Sequence, residues 1–516
     1  MQPAAILYLV DTMFGNRFWF PLFERAHAAG GYAVDAVCFQ RHQRRSFQTL
    51  ACCRHVYPEP EFVYGYAQLP DRPDSELADW VRSFERESGC LITDLIQADR
   101  HVGLGFQQAG LNNPETHNRR KAAYWRTLRY IRQLDGYVED ILDRSAPSLV
   151  VTSVVADLYS KLICAKARAR GIPIRMFNSL QVGSLYGWYH DEYWNHPPLK
   201  RALQGKIDAA PPQLVTPTAG SETPADANQD LEPVYATHYL AKLKASLGLR
   251  ALLRSLVQEA KRSLGNLKTK RPDRPSFLEA AKLQLRMRRQ FKELERRVEQ
   301  QTEALPEHFV LYALHKEPEA STMVKAPEFN NQLAIIDLVA RALPGGYKLL
   351  VKESMVSLGF RSQGFYQAVS ELPNVQLAMP DQRASDLLPM AAAAVVITGT
   401  VGLEAARAGI PVLSFGTRNN YDPIEHVHVV TDFLQVRAVL AELLAEAPET
   451  TKQRRARQAR LYDEAAAELG TDIGEFFEAK RRSSAPVAGH VIERAIDLLL
   501  ASLSSTPQPA RRVSQS

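Results

Sequence analysis

The sequence predicts an α/β protein built of two doubly wound units joined by a basic helical connector. Three observations carry that prediction. Apolar runs of strand length alternate with helix-length segments in both halves of the 516-residue chain. A low-complexity stretch and a Lys/Arg-rich helical segment separate the two alternating regions. In the second region each apolar run stops at charged or small polar residues. Near-continuous apolar strands separated by helices indicate parallel sheets covered on both faces. The ligands of such sheets bind beyond the carboxyl ends of the strands.

In the first half, Ala4 to Val10 reads as a strand, Arg17 to Ala29 as a helix and Tyr32 to Phe39 as a strand. Residues 42–90 resist assignment, and Cys90 to Ile96 reads as another short strand. Tyr124 to Leu142 carries apolar residues near helical spacing. A strand over Ser148 to Ser153, a helix over Asp157 to Ala169 and a strand over Ile172 to Phe177 follow. These elements make residues 1–200 the first α/β domain. Residues 201–238 hold PPQLVTPTAGSETPADANQD, whose composition and lack of period indicate a loop or disordered insert. Residues 239–304 form the helical connector, interrupted at Arg271-Pro272-Asp273-Arg274-Pro275. The second α/β domain spans 305–445, helices fill 446–503, and 504–516 read as a disordered tail.

A hydrophobic content of 45% and a charged content of 23% are those of a water-soluble globular chain large enough for two or three cores. No apolar run reaches the ~18 residues that span a bilayer, and the first fifteen residues read as a buried strand, not a signal peptide. Five cysteines, odd in number and without metal spacing, fit a reducing cytoplasm. Cys52-Cys53 reads as a pair of small core residues.

The formal charge of +6 is uneven. Lys242 to Arg297 carries 17 Lys and Arg against 5 Asp and Glu, so the rest of the chain is acidic. Leucines 247, 249, 252, 253 and 256 recur among these basic residues. The segment suits either an anionic membrane surface or a solvated helical pair with a buried leucine face. It lacks aromatic interleaving and any nucleic-acid motif, which excludes nucleic acid as a partner.

The chemistry concentrates between Phe309 and Tyr421. Phe309 to His315 is a buried strand that stops at His315, Lys316, Glu317, Pro318 and Glu319; Tyr347 to Glu353 is a second, ending in Lys352 and Glu353. Ala394 to Gly416 reads as strand, turn, helix, strand. At its turn, Thr398, Gly399, Thr400, Val401 and Gly402 combine flexible glycines with hydroxyls that can cap a helix beginning near Val401. Such a turn aims free N–H groups at an anion. Glu404, one turn in, can accept from ribose hydroxyls. The alternative is an ordinary strand-to-helix turn. The motif is neither GxGxxG nor a Walker A loop, which argues against a standard dinucleotide or ATP site.

LHKEPEAS (Leu314 to Ser321), the Lys-Glu of VKES, Arg361 before GFY (Gly364 to Tyr366), LPNVQL, ITGTVGLEA and PVLSFG occur in the order seen in capsule and surface polysaccharide biosynthesis proteins. The chain resembles that family most clearly over about residues 305–425. Ala98-Asp99-Arg100 and Ala169 to Ser184 look like family features of the first half. The family includes β-Kdo transferases, which resemble GT-B glycosyltransferases and use CMP-Kdo. Many members carry His-Pro after the Lys-Glu pair, where this chain has Ser354-Met355. The resemblance implies a GT-B-like pair of Rossmann-like domains facing a cleft, with the acceptor side in the first domain and the nucleotide-sugar donor side in the second.

On that reading the donor is held by His315, Glu317, Lys352, Glu353, Arg361, Thr398, Gly399, Thr400, Gly402 and Glu404. His315 can donate to a phosphate or a sugar carboxylate, or serve only as a strand-end histidine. Lys352 and Arg361 can neutralise charge on the leaving phosphate, or form salt bridges. An inverting transfer also needs a carboxylate base on the acceptor side. Asp157 and Asp11 rank first, ahead of Asp99, although Asp11 can cap a turn, Asp99 can pair with Arg100 and Asp157 can cap the next helix. Tyr186, Trp188, Tyr189, Tyr193 and Trp194 suit either stacking on a glycan or core packing.

The expected protein is a metal-independent, cytoplasmic glycosyltransferase needing no cofactor beyond its nucleotide-sugar substrate. Its acceptor is a glycan or glycolipid, and the basic segment is the expected contact with the inner face of the cytoplasmic membrane. A nucleotide-sugar epimerase of the same two-domain shape and a non-catalytic polysaccharide assembly protein are the alternatives.

Overall fold

The computed structural model describes residues 4–10, 13–38, 43–58, 60, 66, 68–99, 123–210, 277–301, 305–317, 319–445, 449–477 and 489–504, with 248, 254, 256, 257 and 260 as isolated positions. Asp11, Arg100, Pro318, most of the low-complexity and basic segments (Arg250, Lys261 and Arg262 among them) and the tail lie outside the described residues. The chain divides into two compact units. One comprises 1–95, 124–196 and 466–516, and the other 96–123 and 197–465.

The first unit is built on a sheet of β1 (Ala5–Leu9), β2 (Ala33–Val37), β3 (Cys53–Tyr57), β4 (Leu149–Thr152), β5 (Ile174–Ser179), β6 (Leu185–Tyr189) and β13 (Thr471–Asp472). Its order is β13-β6-β5-β4-β1-β2-β3. β1 to β5 pair in parallel, whereas β6 and β13 run antiparallel at one edge. β1, β2 and β4 are buried at every position, as continuous apolar runs require when helices cover both faces.

The second unit contains β7 (Phe309–Ala313), β8 (Lys348–Lys352), β9 (Val375–Ala378), β10 (Ala393–Val396), β11 (Val412–Ser414) and β12 (Val427–Val429). All pair in parallel, in the order β12-β11-β10-β7-β8-β9. Read from β9, this is the 3-2-1-4-5-6 order of doubly wound nucleotide-binding sheets, with the winding reversing between β7 and β10. Both predicted α/β units are therefore present.

Several local readings are corrected. Cys90 to Ile96 is not a strand: Ile92–Ala98 is helical, with Ile92, Leu95 and Ile96 buried at i, i+3 and i+4. The Glu85 carboxylate accepts the Ile92 N–H at 2.9 Å at its start. The loop expected from residue 201 is corrected over its first residues, because Pro197–Ala209 is a helix that buries Leu199 and Leu203. The unassigned region holds β3 and the helix Ser75–Ser88, capped by Asp74 on the Leu77 N–H and closed by left-handed Gly89.

Tyr186, Trp188 and Tyr189 of the aromatic cluster are buried, whereas Tyr193 and Trp194 are half-buried. Tyr186, Trp188 and Tyr189 lie in β6, Trp188 donates Nε1–H to the Ala495 carbonyl at 2.8 Å, and Tyr193 covers the Lys161 ammonium at 3.6 Å. Trp188 thereby ties the helix Gly489–Ser504 to the first unit, where Val491, Ile492, Ala495, Ile496 and Leu499 join the core. The division therefore departs from chain order, since the last residues complete the first unit. Cys52 is buried, and neither it nor Cys53 forms a disulfide. Among the described residues no helix is long and apolar enough to cross a membrane.

Candidate functional site

The reversal between β7 and β10 splays two adjacent strand ends, and the predicted donor residues of the second unit gather around it. β7 delivers His315, β8 delivers Lys352 and Glu353, and β10 delivers Thr398 ahead of the helix Thr400–Arg407. That helix opens on Gly399, whose extended backbone places no side chain on the first amides. The threonines therefore do not cap it: Thr400 is its first residue, and Thr398 Oγ1 donates instead to the Ser321 carbonyl at 3.4 Å. Free amides at a helix start carry part of the macrodipole and attract anions.

His315 is packed against this turn. Its Nε2 accepts from the Ile397 N–H at 3.3 Å and the Thr398 N–H at 3.4 Å, so the ring proton resides on Nδ1. A Cβ on Gly399 would stand 3.0 Å from His315 Cε1, which is why the position takes glycine. Burial first, then the charges of Lys325 and Arg361, push the imidazole down to about 3. His315 is thus neutral near neutrality and presents the Nδ1–H, a donor with no partner among the described residues. Gly402 is equally confined, since a Cβ there would lie 2.9 Å from Val396 Cγ2 and meet the Tyr421 hydroxyl.

Glu317, Glu353 and Arg361 are engaged with one another. Arg361 is 1% exposed and forms a fork on Glu353, with Nε to Oε2 at 2.7 Å and Nη2 to Oε1 at 3.1 Å. It also donates Nη1 to Glu317 at 3.2 Å and Nη2 to the His315 carbonyl at 2.6 Å. Tyr366 donates its hydroxyl to Glu353 at 2.9 Å, and the Ser354 N–H donates to the same carboxylate at 2.7 Å. Burial alone would pull the guanidinium down, but Glu353 and Glu317 hold it above its ordinary value. Burial raises the Glu317 carboxyl, and Arg361 opposes that rise. A saturated network of this kind fixes geometry, here the carbonyl and strand end that carry His315.

Gln332 was not singled out in the sequence, yet it completes this clamp. Its Oε1 accepts the His315 N–H at 2.7 Å, while its Nε2 donates to Glu317 at 2.6 Å and to the His315 carbonyl at 3.1 Å. Ser354 and Met355 close the loop after β8 structurally, with Met355 buried in the core. Lys352 donates to the Glu353 carbonyl at 3.1 Å. Burial lowers its ammonium, while Glu353, Glu404 and Asp381 work in the opposite direction. Lys352, at the end of β8, and Glu404, in the helix Thr400–Arg407, thus stand close enough for their charges to act on each other, and Asp381 is a further carboxylate there that sequence reading missed.

In the first unit, Asp157 follows β4 and caps the helix Leu158–Ala169, accepting the Ser160 N–H at 2.9 Å and the Ser160 hydroxyl at 2.8 Å. Asp99 is buried just beyond the helix Ile92–Ala98.

No protein-family model and no curated protein sequence matches the chain. Among solved structures, the chain is similar to S. aureus MnaA with UDP (10% identity, 98% of this chain and 99% of that one, TM-score 0.29). It is likewise similar to glycosyltransferase VinC in complex with dTDP (14%, 93% and 100%, TM-score 0.27). A third is the UDP-GlcNAc 2-epimerase from Neisseria meningitidis bound to UDP-GlcNAc (12%, 90% and 100%, TM-score 0.23). All three TM-scores are low, and the doubly wound architecture stands on the strand order of the two sheets.

Proposed function

We propose that this chain is a glycosyltransferase that takes a sugar from a nucleotide donor and passes it to a glycan or glycolipid acceptor of the surface-polysaccharide type. The observation that carries the reading is the convergence of His315, Lys352, Glu404 and an uncapped helix start at the winding reversal of the second sheet. In this reading the amides of Thr400 and Val401 meet the donor phosphate, Glu404 accepts from the ribose, and His315 Nδ1–H donates to the phosphate or sugar. Lys352 offsets charge as the nucleotide leaves. Glu317, Glu353 and Arg361 act as positioning residues behind His315. Asp157 and Asp11 remain the proposed bases, and the basic segment around Lys242 to Arg274 is the proposed contact with an anionic membrane.

The epimerase reading requires acid/base groups around the sugar in this unit as well. The carboxylates of Glu317 and Glu353 are bound to Arg361, which favours transfer. CMP-Kdo and related CMP-sugars belong among the donors to be tried, alongside UDP- and GDP-sugars. Incubation with each donor in the absence of acceptor should release free sugar slowly and leave the remaining donor unchanged in configuration. Glu404→Ala should weaken binding of the active nucleotide by roughly 1–3 kcal/mol, the cost of stranding polar partners. Accumulation of an epimeric nucleotide-sugar would replace transfer by epimerisation. Unchanged nucleotide affinity in folded Glu404→Ala would dismiss this pocket.

A further inference from the structure

Lys325 ends the irregular helical turn Ser321–Lys325, in the segment that follows His315, and is only 7% exposed. Among the described residues its ammonium has no carboxylate, carbonyl or hydroxyl partner. The charges that act on it are those of two cations, Arg418 and Lys200, of which Arg418 stands 3.9 Å from the Glu328 carboxylate. Arg418 donates Nη1 to the Lys325 carbonyl at 2.7 Å, and Lys200, itself paired with Asp422 at 2.8 Å, acts on it from another segment of the same unit. Burial and these two cations bring its ammonium down to about 8, so it remains mostly protonated near neutrality. Thr398 donates its hydroxyl to the Ser321 carbonyl at 3.4 Å, which sets the turn that carries Lys325 against the Thr398–Gly399 turn, and the Lys325 charge helps to keep the His315 imidazole neutral. His315 in turn lies against Gly399 at the start of the eight-residue helix Thr400–Arg407.

A desolvated, unpaired ammonium is unfavourable in a folded chain unless a ligand supplies the opposing charge. Hydrogen bonds from this ammonium and the amides of the uncapped helix would serve one anion from two directions. We propose that Lys325 is a binding residue for a phosphate-bearing anion seated between it and the Gly399–Thr400 helix start. The donor's phosphate is the anion intended, and in that identification the inference rests on the nucleotide-sugar reading. The site itself rests on Lys325, His315 and the helix start.

Titration calorimetry of the full chain with UDP, CMP and inorganic pyrophosphate, comparing wild type with Lys325→Met and Lys325→Arg, tests the assignment. Whichever anion binds the wild type should bind Lys325→Met about tenfold more weakly or worse, as loss of a charged hydrogen bond requires. Lys325→Arg should retain an intermediate affinity. Without ligand, Lys325→Met should melt at a higher temperature than wild type, because it removes an uncompensated buried charge; a purely structural lysine would give a lower one.

Nucleotides that bind wild type and Lys325→Met equally well would overturn the Lys325 assignment and leave the nucleotide reading standing. Pyrophosphate binding that is lost in Lys325→Met, with no binding of either nucleotide, would sustain the anion site and remove the nucleotide reading. Absence of binding by all three probes, or a lower melting temperature for Lys325→Met, would overturn the assignment.

Discussion

Replacing Arg361 by Met is expected to destabilise the second unit by roughly 3–5 kcal/mol, the range for leaving buried charges without their partner. Glu353 and Glu317 are both buried, and Arg361 forms an ion pair with each of them. Urea unfolding followed by far-UV circular dichroism would measure the loss; all five tryptophans lie in the first unit, so their fluorescence would serve as the control for it. Adding Glu353→Gln and Glu317→Gln to Arg361→Met should restore much of it, because neutral amides no longer need a cation. A loss below about 1 kcal/mol for Arg361→Met would assign these residues the energetics of a solvated surface pair. Their place in the account would then fail, since the clamp on His315 depends on their being dry.

The second large effect is expected at Gly416, which follows β11 beside the end of β10. Its N–H donates to the Ile397 carbonyl at 2.8 Å, and an added Cβ would stand 2.5 Å from that same oxygen while striking the Thr398 methyl. Neither obstacle is the end of a long flexible side chain. Gly416→Ala should therefore cost roughly 1–3 kcal/mol by overpacking and push the Thr398–Gly399 turn out of place. Thermal unfolding and nucleotide titration of the same variant separate the two consequences. A variant with wild-type stability and wild-type nucleotide affinity would mean that the turn is not fixed by this contact.

The doubly wound units were legible because buried parallel strands announce themselves as continuous apolar runs. Phe309 to His315 and Tyr347 to Glu353 are β7 and β8, the first ending two residues earlier at Ala313 and the second one residue shorter at each end. His315 was placed at the sheet edge by the same logic, since a polar residue that ends a buried strand leaves the core there. The short run Cys90 to Ile96 misled, because seven residues with five apolar ones satisfy a strand and a two-turn helix alike. β6 was missed because Gly187 interrupts its aromatic run, although close contact with Leu180 is what demands that glycine.

Side-chain pairing was less visible than strand position. Glu317, Glu353 and Arg361 stand at strand ends or in the following loop, where a charge that meets a ligand and one that meets another charge look the same in sequence. Only the fold shows that 44 residues of chain bring Arg361 back onto Glu317. Gln332 lies within a helix, and its role in holding His315 leaves no mark in spacing. Lys325 occupies an irregular turn with no period to single it out, and its lack of a partner among the described residues is a property of the folded surroundings alone.

The central claim is that the nucleotide part of a sugar donor binds at the winding reversal of the second sheet. Hydrogen–deuterium exchange with and without saturating UDP, CMP or GDP tests it most directly, because each backbone amide reports its own protection. The account predicts that the nucleotide that binds slows exchange at the amides of 397–404 and at 314–325, with little change in β1 to β5 of the first unit. Saturating nucleotide that leaves 397–404 unprotected, or protects only the first unit, would contradict it.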